Sequence, residues 1–174
     1  DPRDFYALTK YCGEQLLRIR ARSDGLHAVC LRLPSVFLEE QRGGIVHTYY
    51  SHAVAGLDLE VHSEGRYKRN LVHVEEVLAG VLRSLERIRD LAGFNVFLLG
   101  CEPSWTMRKI ADYIYRATGA SGRVIPVSTE AAIKGHWVFD LSKARQKLGF
   151  EPATMQEGLD RYIANMARLR GTIA

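Results

Sequence analysis

The chain has 174 residues, of which 47% are hydrophobic and 25% are charged, and its formal net charge is +4 at pH 7. This balance is typical of a globular domain with a sizeable core and excludes disordered and fibrous proteins. The positive residues form no stripe, and no apolar run approaches the roughly 20 residues that span a bilayer. We therefore expect neither a nucleic-acid partner nor a membrane partner.

The three cysteines, Cys12, Cys30 and Cys101, lie far apart and form no C-x-x-C pair. An odd number without a framework predicts reduced thiols in a cytoplasmic protein. We expect no metal site, because the six histidines are scattered as well. The chain begins with Asp1 rather than with methionine, which suggests a fragment of a longer protein.

Helical and strand patterns alternate along the chain. Helical segments carry apolar residues at steps of three and four, and strand segments are apolar runs or alternations. In chain order, the predicted elements are a helix over 4–22, a strand over 27–33, a helix over 45–55, strands over 57–62 and 70–74, a helix over 75–88, a strand over 94–99, a helix over 104–118, a strand over 123–127 and helices over 140–148 and 154–170. Strands that alternate with helices predict an α/β fold.

The last two helices have clear start and stop signals. Gly149 and Pro152 follow the helix over 140–148, as expected for a helix end. Thr154 and Glu157 form the T-x-x-E pattern of a capping box, which predicts the start of the final helix.

Tyr6 and Lys10 form the pattern Y-x-x-x-K on the first predicted helix. Residues four apart lie on the same face, so the lysine ammonium can stabilise a tyrosine phenolate. Such a pair suits proton transfer to or from a hydroxyl while hydride moves at the adjacent carbon. With eight tyrosines in the chain, chance alone gives ~0.3 such pairs, so a surface Tyr–Lys pair beside an apolar stripe is the alternative.

Four further motifs follow this pair in a fixed order, and together the five cover nearly the whole chain. The series reads Tyr6, Lys10 and Glu14; the run LRLPSVF over 31–37; Gly65, Arg69, Val72, Val74 and Glu76; the run FNV over 94–96; and the run DLSKARQKLGFEP over 140–152. This order resembles the extended short-chain dehydrogenase/reductases, the NAD-dependent epimerase/dehydratase family, and is similar to UDP-glucose 4-epimerase.

The resemblance implies the last part of a Rossmann doubly wound sheet plus a small α/β substrate-binding domain. Residues 1–40 would be the C-terminal part of the Rossmann NAD(P)-binding domain, including the Tyr-x-x-x-Lys helix. Residues 41–174 would be mostly substrate-binding domain, with some strands and helices returning to the Rossmann domain. The N-terminal glycine-loop half would be absent, since no G-x-x-G-x-x-G occurs in the chain.

The resemblance also implies a reaction and its site residues. The expected activity is NAD(P)-dependent epimerisation of a nucleotide sugar, or dehydration or reduction within the same family, by a cytoplasmic homodimer that uses NAD or NADP, with NAD favoured. The apolar residues of the tyrosine-bearing helix would supply part of the dimer surface. Tyr6 and Lys10 would be catalytic; Tyr6, Lys10, Pro34, Ser35 and Val36 would bind the cofactor; and Ser35, Val61, His62 and Arg69 would bind the substrate.

Several of these residues have a plainer interpretation. Arg69 can be a solvated arginine rather than a ligand of the nucleotide diphosphate, and Val61 and His62 can serve strand packing alone. Trp105 and Trp137 are interpreted as core or surface anchors rather than as ligand platforms.

Departures from the family pattern leave the substrate open. Ser35 replaces an asparagine, Leu38 and Glu39 stand where Gly-Pro is usual, a phosphate-binding asparagine near Ile45 is missing, and an R-x-G-D stretch is absent. A reductase of a non-sugar carbonyl compound and a degenerate, non-catalytic dinucleotide-binding module are therefore the alternatives. Without the glycine loop, we expect this chain alone to be inactive.

Overall fold

The computed structural model describes residues 2–128 and 136–173, which form an α/β fold. The helices are α1 (Phe5–Ser23), α2 (Ile45–Val54), α3 (Val74–Arg87), α4 (Met107–Thr118), α5 (Ser142–Leu148) and α6 (Met155–Ile173), with a 3₁₀ turn at Ser63–Gly65. The strands are β1 (Ala28–Arg32), β2 (Ser35–Phe37), β3 (Leu59–His62), β4 (Lys68–Arg69), β5 (Leu71–His73), β6 (Phe94–Leu98), β7 (Trp105–Thr106) and β8 (Val124–Val127). None of the described helices combines the length and the apolar character that crossing a bilayer requires.

Strand pairing is mostly parallel and joins distant parts of the chain. β1 pairs with β6, β2 with β5 and β3 with β8, all in parallel, whereas β4 and β7 are antiparallel. In the first pair Cys30 lies opposite Val96. Parallel strands need long crossovers, and here helices supply them. The predicted α/β class is therefore confirmed, while the predicted division into residues 1–40 and 41–174 stays a prediction.

Two hydrophobic clusters hold these elements together. The larger lies among α2, α4 and α6 and includes the fully buried Ile110, Leu159 and Tyr162. The smaller packs α5 against β6 around Phe97 and Leu148. The predicted capping box forms at the start of α6: the Thr154 N–H donates to Glu157 Oε2 at 2.7 Å, and the Glu157 N–H donates to Thr154 Oγ1 at 3.3 Å.

Two predicted helix starts were wrong. Residues 104–106 do not begin α4; Trp105 and Thr106 instead form β7, and the Thr106 hydroxyl accepts the Lys109 N–H at 3.2 Å as the helix cap. Asp140 likewise lies before α5, and its carboxylate accepts the Ser142 N–H at 2.9 Å. In both cases residues that precede the helix were counted as part of it: the Thr106 side chain caps α4, and Asp140 lies before Leu141, the N-cap residue of α5.

The apolar stripe of α1 does not pack against the rest of the described chain. The helix rests on β1 and β6 through a face marked by Ala7, Glu14 and the buried Ala21. The predicted stripe lies outside this face: Phe5 is 87% exposed and Leu16 is 63% exposed. Exposed apolar surface on this scale marks an interface with another part of a protein or with a partner.

Candidate functional site

Tyr6 and Lys10 lie together on the exposed part of α1. The Lys10 Nζ atom lies over the Tyr6 ring, 5.4 Å from its centroid, and the tyrosine side chain is exposed. Asp4 is the N-cap residue of the helix and accepts the Ala7 N–H at 2.7 Å, so both side chains project from regular helix. Among the described residues, neither the Tyr6 hydroxyl nor the Lys10 ammonium has a hydrogen-bond or ion-pair partner. Both polar groups are therefore available to a ligand.

Glu14, one turn beyond Lys10, fixes α1 to the first strand. Arg32 donates to both carboxylate oxygens, from Nε at 2.8 Å and from Nη2 at 2.6 Å. These hydrogen bonds hold the pKa of the Glu14 carboxyl below its ordinary value of 4.5, against the opposing effect of its partial burial. A bidentate pair of this kind fixes orientation as well as distance. The third residue of the first motif thus positions the helix that carries the Tyr6–Lys10 pair.

A cavity of about 310 Å³ lies where β2 ends and α2 begins. Its lining residues are Ser35, Val36, Phe37, Gln41, Gly44, Ile45, Val46 and Leu71. Gly44 is the N-cap of α2 with φ of 76°, and no side chain caps the helix there. The first N–H groups of α2 therefore lack side-chain partners and carry the positive end of the helix dipole at the cavity. Ser35 and Val36, two of the predicted cofactor-binding residues, line it, and Pro34 directly precedes them.

Arg69 is held between two aromatic rings. Its guanidinium carbon lies 5.3 Å from the centroid of the Tyr67 ring and 5.8 Å from that of the Trp137 ring. The Nε atom is buried without a hydrogen-bond partner, and no carboxylate of the described residues pairs with this arginine. Arg69 is thus a half-buried cation whose Nε donor is unused among the described residues.

The residues on either side of Arg69 lie near Ser104, which lies just before β7. Asn70 donates to the Ser104 hydroxyl at 3.0 Å, and Lys68 lines a separate cavity with the same serine. Leu71 lines the cavity at the start of α2, whereas Arg69 is not among its lining residues.

Val61 and His62 differ in exposure at the end of β3. Val61 is 2% exposed and belongs to the larger hydrophobic cluster, whereas His62 is exposed. Strand packing therefore explains the Val61 side chain. A tight turn follows, in which a Cβ atom on Gly65 would lie 2.7 Å from the Arg108 backbone nitrogen, so only glycine fits.

Glu39, which the sequence shows only as a departure from the family pattern, is the centre of a partly buried polar network. Its Oε1 atom accepts from Asn165 Nδ2 at 2.7 Å and lies 3.4 Å from His73 Nε2. The Glu75 N–H donates to His73 Nδ1, which leaves the proton on Nε2 to face Glu39. The network ties the loop before α2 to the start of α3 and to α6. Sequence reasoning missed it because its members are separated by up to 126 positions.

Other motif residues maintain the scaffold. The Glu76 carboxylate accepts the Ala153 N–H at 3.0 Å and Arg161 Nη1 at 3.1 Å, which joins α3 to α6. Lys143 donates to the Val96 carbonyl at 2.9 Å, which joins α5 to β6. The Ser142 N–H lowers the pKa of the Asp140 carboxyl. Within the described ranges, no group of three or more His, Cys, Asp or Glu could hold a metal ion.

Comparison of the sequence with known proteins shows the family of this chain. The family model of the NAD dependent epimerase/dehydratase family matches residues 1–100. Over 97% of the chain, it is 28% identical to an uncharacterised UDP-glucose epimerase, YtcB, of Bacillus subtilis, of which the match covers 53%. Over 89% of the chain, it is 25% identical to a dTDP-4-dehydro-6-deoxy-D-allose reductase of a Streptomyces species, with 48% of that protein covered.

Solved structures share the fold at lower identity. The UDP-glucose 4-epimerase of Thermotoga maritima, determined with UDP-glucose, superposes on 97% of the chain with a TM-score of 0.81 and 24% identity, and 54% of it is covered. The UDP-glucuronic acid 4-epimerase of Bacillus cereus, determined with NAD, gives a TM-score of 0.79 at 22% identity, with 97% of this chain and 54% of that one covered. The chain spans about half the length of the curated relatives it matches.

Proposed function

The chain belongs to the NAD dependent epimerase/dehydratase family, and from this premise we propose that the protein that carries it is an NAD(P)-dependent epimerase of a nucleotide sugar. The observation that carries the proposal is the Tyr6–Lys10 pair, with the ammonium 5.4 Å from the ring centroid and both polar groups without partners among the described residues. A nicotinamide dinucleotide, when bound, accepts hydride from the sugar carbon and returns it.

Tyr6 is the proton-transfer group in this proposal. Its phenolate oxygen takes the proton of the sugar hydroxyl as hydride leaves the carbon that bears that hydroxyl, and the resulting phenol returns the proton when hydride is returned. Lys10 stabilises the phenolate through its charge. Its ammonium also has donors left for a ribose hydroxyl of the dinucleotide. Pro34, Ser35 and Val36 lie where the strand β2 meets the cavity and complete the proposed cofactor contacts.

Two groups among the described residues suit the diphosphate of a nucleotide sugar. Arg69 presents unused guanidinium donors, and the uncapped start of α2 at Gly44 presents backbone N–H groups. Both are favourable partners for phosphate oxygens. The backbone at Ile45 takes the place of the phosphate-binding asparagine that this chain lacks. Ser35 and the exposed His62 complete the proposed substrate contacts, while Val61 contributes packing.

Reduction of a nucleotide sugar is the second candidate activity. The observation in its favour is the similarity to the dTDP-4-dehydro-6-deoxy-D-allose reductase. The two activities differ in their use of the cofactor: an epimerase regenerates it in each cycle, whereas a reductase consumes one reduced nicotinamide per product. Absorbance at the wavelength of reduced nicotinamide during turnover of UDP- and dTDP-sugars therefore separates them.

The test of the proposed chemistry is Tyr6→Phe in the natural protein. Loss of the phenol should lower kcat by roughly 10²–10⁴, the usual contribution of a general acid–base group, while the dissociation constant of the nucleotide sugar stays within about twofold because binding rests on other residues. Steady-state kinetics and calorimetry measure the two quantities.

Tyr11→Phe is the matched control, because Tyr11 lies on the same helix and is also exposed. Unchanged turnover in Tyr6→Phe would remove Tyr6 from the mechanism. Tight dinucleotide binding without turnover of any carbonyl or sugar substrate would favour a binding module.

A further inference from the structure

Trp137 is an exposed tryptophan whose position is fixed by hydrogen bonds. Its indole is 53% exposed. The backbone N–H of Trp137 donates to the Lys68 carbonyl at 3.1 Å, and the backbone N–H of Lys68 donates to His136 Nδ1 at 3.1 Å. The short segment 136–138 thus lies along the edge of β4 that does not pair with β7. The backbone of Trp137 is therefore held at this edge while its ring stays partly exposed.

The same side chain forms one wall around Arg69. The guanidinium carbon lies 5.8 Å from the Trp137 ring and 5.3 Å from the Tyr67 ring. Cation–π contacts hold a guanidinium without using its N–H donors, unlike a carboxylate partner. The arrangement therefore restricts the orientation of Arg69 while leaving its donors available.

We propose that Trp137 is a positioning residue for anion recognition, which together with Tyr67 fixes the Arg69 guanidinium so that it can bind the diphosphate of the substrate. This inference rests on the proposed function for the identity of the anion. It assigns a role to a segment in which the chain departs from its family pattern, since R-x-G-D is absent there. A fixed guanidinium loses less conformational entropy on binding than a mobile one, so removing one wall should weaken anion binding.

The experiment compares three variants of the natural protein: Trp137→Ala, Trp137→Phe and Val138→Ala. The last is the matched control, because Val138 is also exposed and lines the separate cavity with Lys68. Calorimetry measures the affinity for UDP, inorganic pyrophosphate and uridine. We expect Trp137→Ala to weaken binding of UDP and pyrophosphate by about threefold to tenfold, the size of a lost cation–π contact. Trp137→Phe should restore most of the affinity, and Val138→Ala should match the wild type.

Two further readouts distinguish positioning from a general effect on folding. In turnover, Trp137→Ala should raise KM with little change in kcat, because the contact acts on binding. In nuclear magnetic resonance spectra without ligand, the Arg69 Nε–H signal should show a ring-current shift that is reduced in Trp137→Ala, where only Tyr67 contributes, and retained in Trp137→Phe.

Each outcome bears on a different part of the inference. If Trp137→Ala leaves the affinity for UDP unchanged, the role of Trp137 is overturned and the proposed function stays intact. Weaker binding of uridine, with pyrophosphate binding unchanged, overturns the positioning role in favour of stacking on the base. An Arg69 signal that does not respond to Trp137→Ala overturns the inference even without a ligand. A wild-type protein that binds no UDP contradicts the proposed function separately.

Discussion

Most motif residues of this chain hold the scaffold, and few are free to meet a ligand. Glu14 pairs with Arg32, Glu76 binds a backbone N–H across two helices, and Lys143 binds a strand carbonyl. The Tyr6 hydroxyl, the Lys10 ammonium and the Arg69 Nε instead have no hydrogen-bonding partner among the described residues. A motif alone does not separate these two roles, because both require a defined side chain at a defined position. The hydrogen-bond partners do.

The Glu14–Arg32 pair should make stability depend on pH. The folded-state pKa of Glu14 lies below its ordinary value of 4.5. The stabilisation is therefore complete above about pH 4.5 and is lost as pH falls through the folded-state pKa. We expect Glu14→Gln to lower the free energy of unfolding at pH 7 by about 1 kcal/mol, since Arg32 is half exposed and solvent screens the pair. The difference from wild type should shrink toward pH 3.

Urea unfolding at pH 7, 5, 4 and 3 measures this dependence. Glu40→Gln is the control, because Glu40 is the exposed neighbour of the network residue Glu39. A difference between wild type and Glu14→Gln that stays constant across this pH range would contradict the assignment of the effect to the ionised carboxylate.

At the scale of elements, the sequence located the described helices and the strands β1, β3, β5, β6 and β8, although two helix starts were wrong and β2 was missed. The capping box at Thr154 and the glycine after α5 set those helix ends locally, so they could be predicted. The two-residue strands β4 and β7 could not, because each exists only through its partner. The same reason explains the site: Tyr6 and Lys10 lie one turn apart and were predictable as a pair. The contact of Arg69 with Trp137 depends on tertiary structure and was not predictable.

Helix α1 presents an exposed apolar stripe that consists of Phe5, Leu8, Cys12 and Leu16. We propose that the natural protein is a homodimer with this helix in the interface, and we expect sedimentation equilibrium at micromolar concentration to give twice the subunit mass. Replacing both Leu8 and Leu16 by glutamate should give a monomer, because two charges would be buried in the interface.

Leu169→Glu is the control for the dimer, since Leu169 is exposed on α6, away from α1. A wild-type monomer would contradict the dimer. A wild-type dimer that survives the double replacement would show that the apolar face of α1 is covered by another part of a longer protein instead.

At the scale of the whole molecule, one apolar helix face and one strand edge have no partner among the described residues. Helix α3 exposes Leu78, Leu82 and Leu85, the stripe that its sequence pattern marks as a packing face. Within the described residues, β1 pairs only with β6 and therefore has one edge without a strand. In parallel sheets, a free strand edge and an exposed apolar helix face are normally covered by another segment of the protein. Both agree with a chain that spans about half the length of its relatives.

The chain by itself should therefore bind neither NAD nor NADP. The dinucleotide phosphates require backbone N–H groups at a helix start behind a glycine-rich turn, and the sequence contains no G-x-x-G-x-x-G. Lys10 can still donate to a ribose hydroxyl, but a single contact does not offset the entropy lost on association. Calorimetric titration of the 174-residue chain with each dinucleotide should give no binding heat, whereas a natural protein that includes a glycine loop should bind one of them. Circular dichroism must first show that the isolated chain is folded. Micromolar binding by the isolated chain would contradict this prediction and place a dinucleotide site within the residues described.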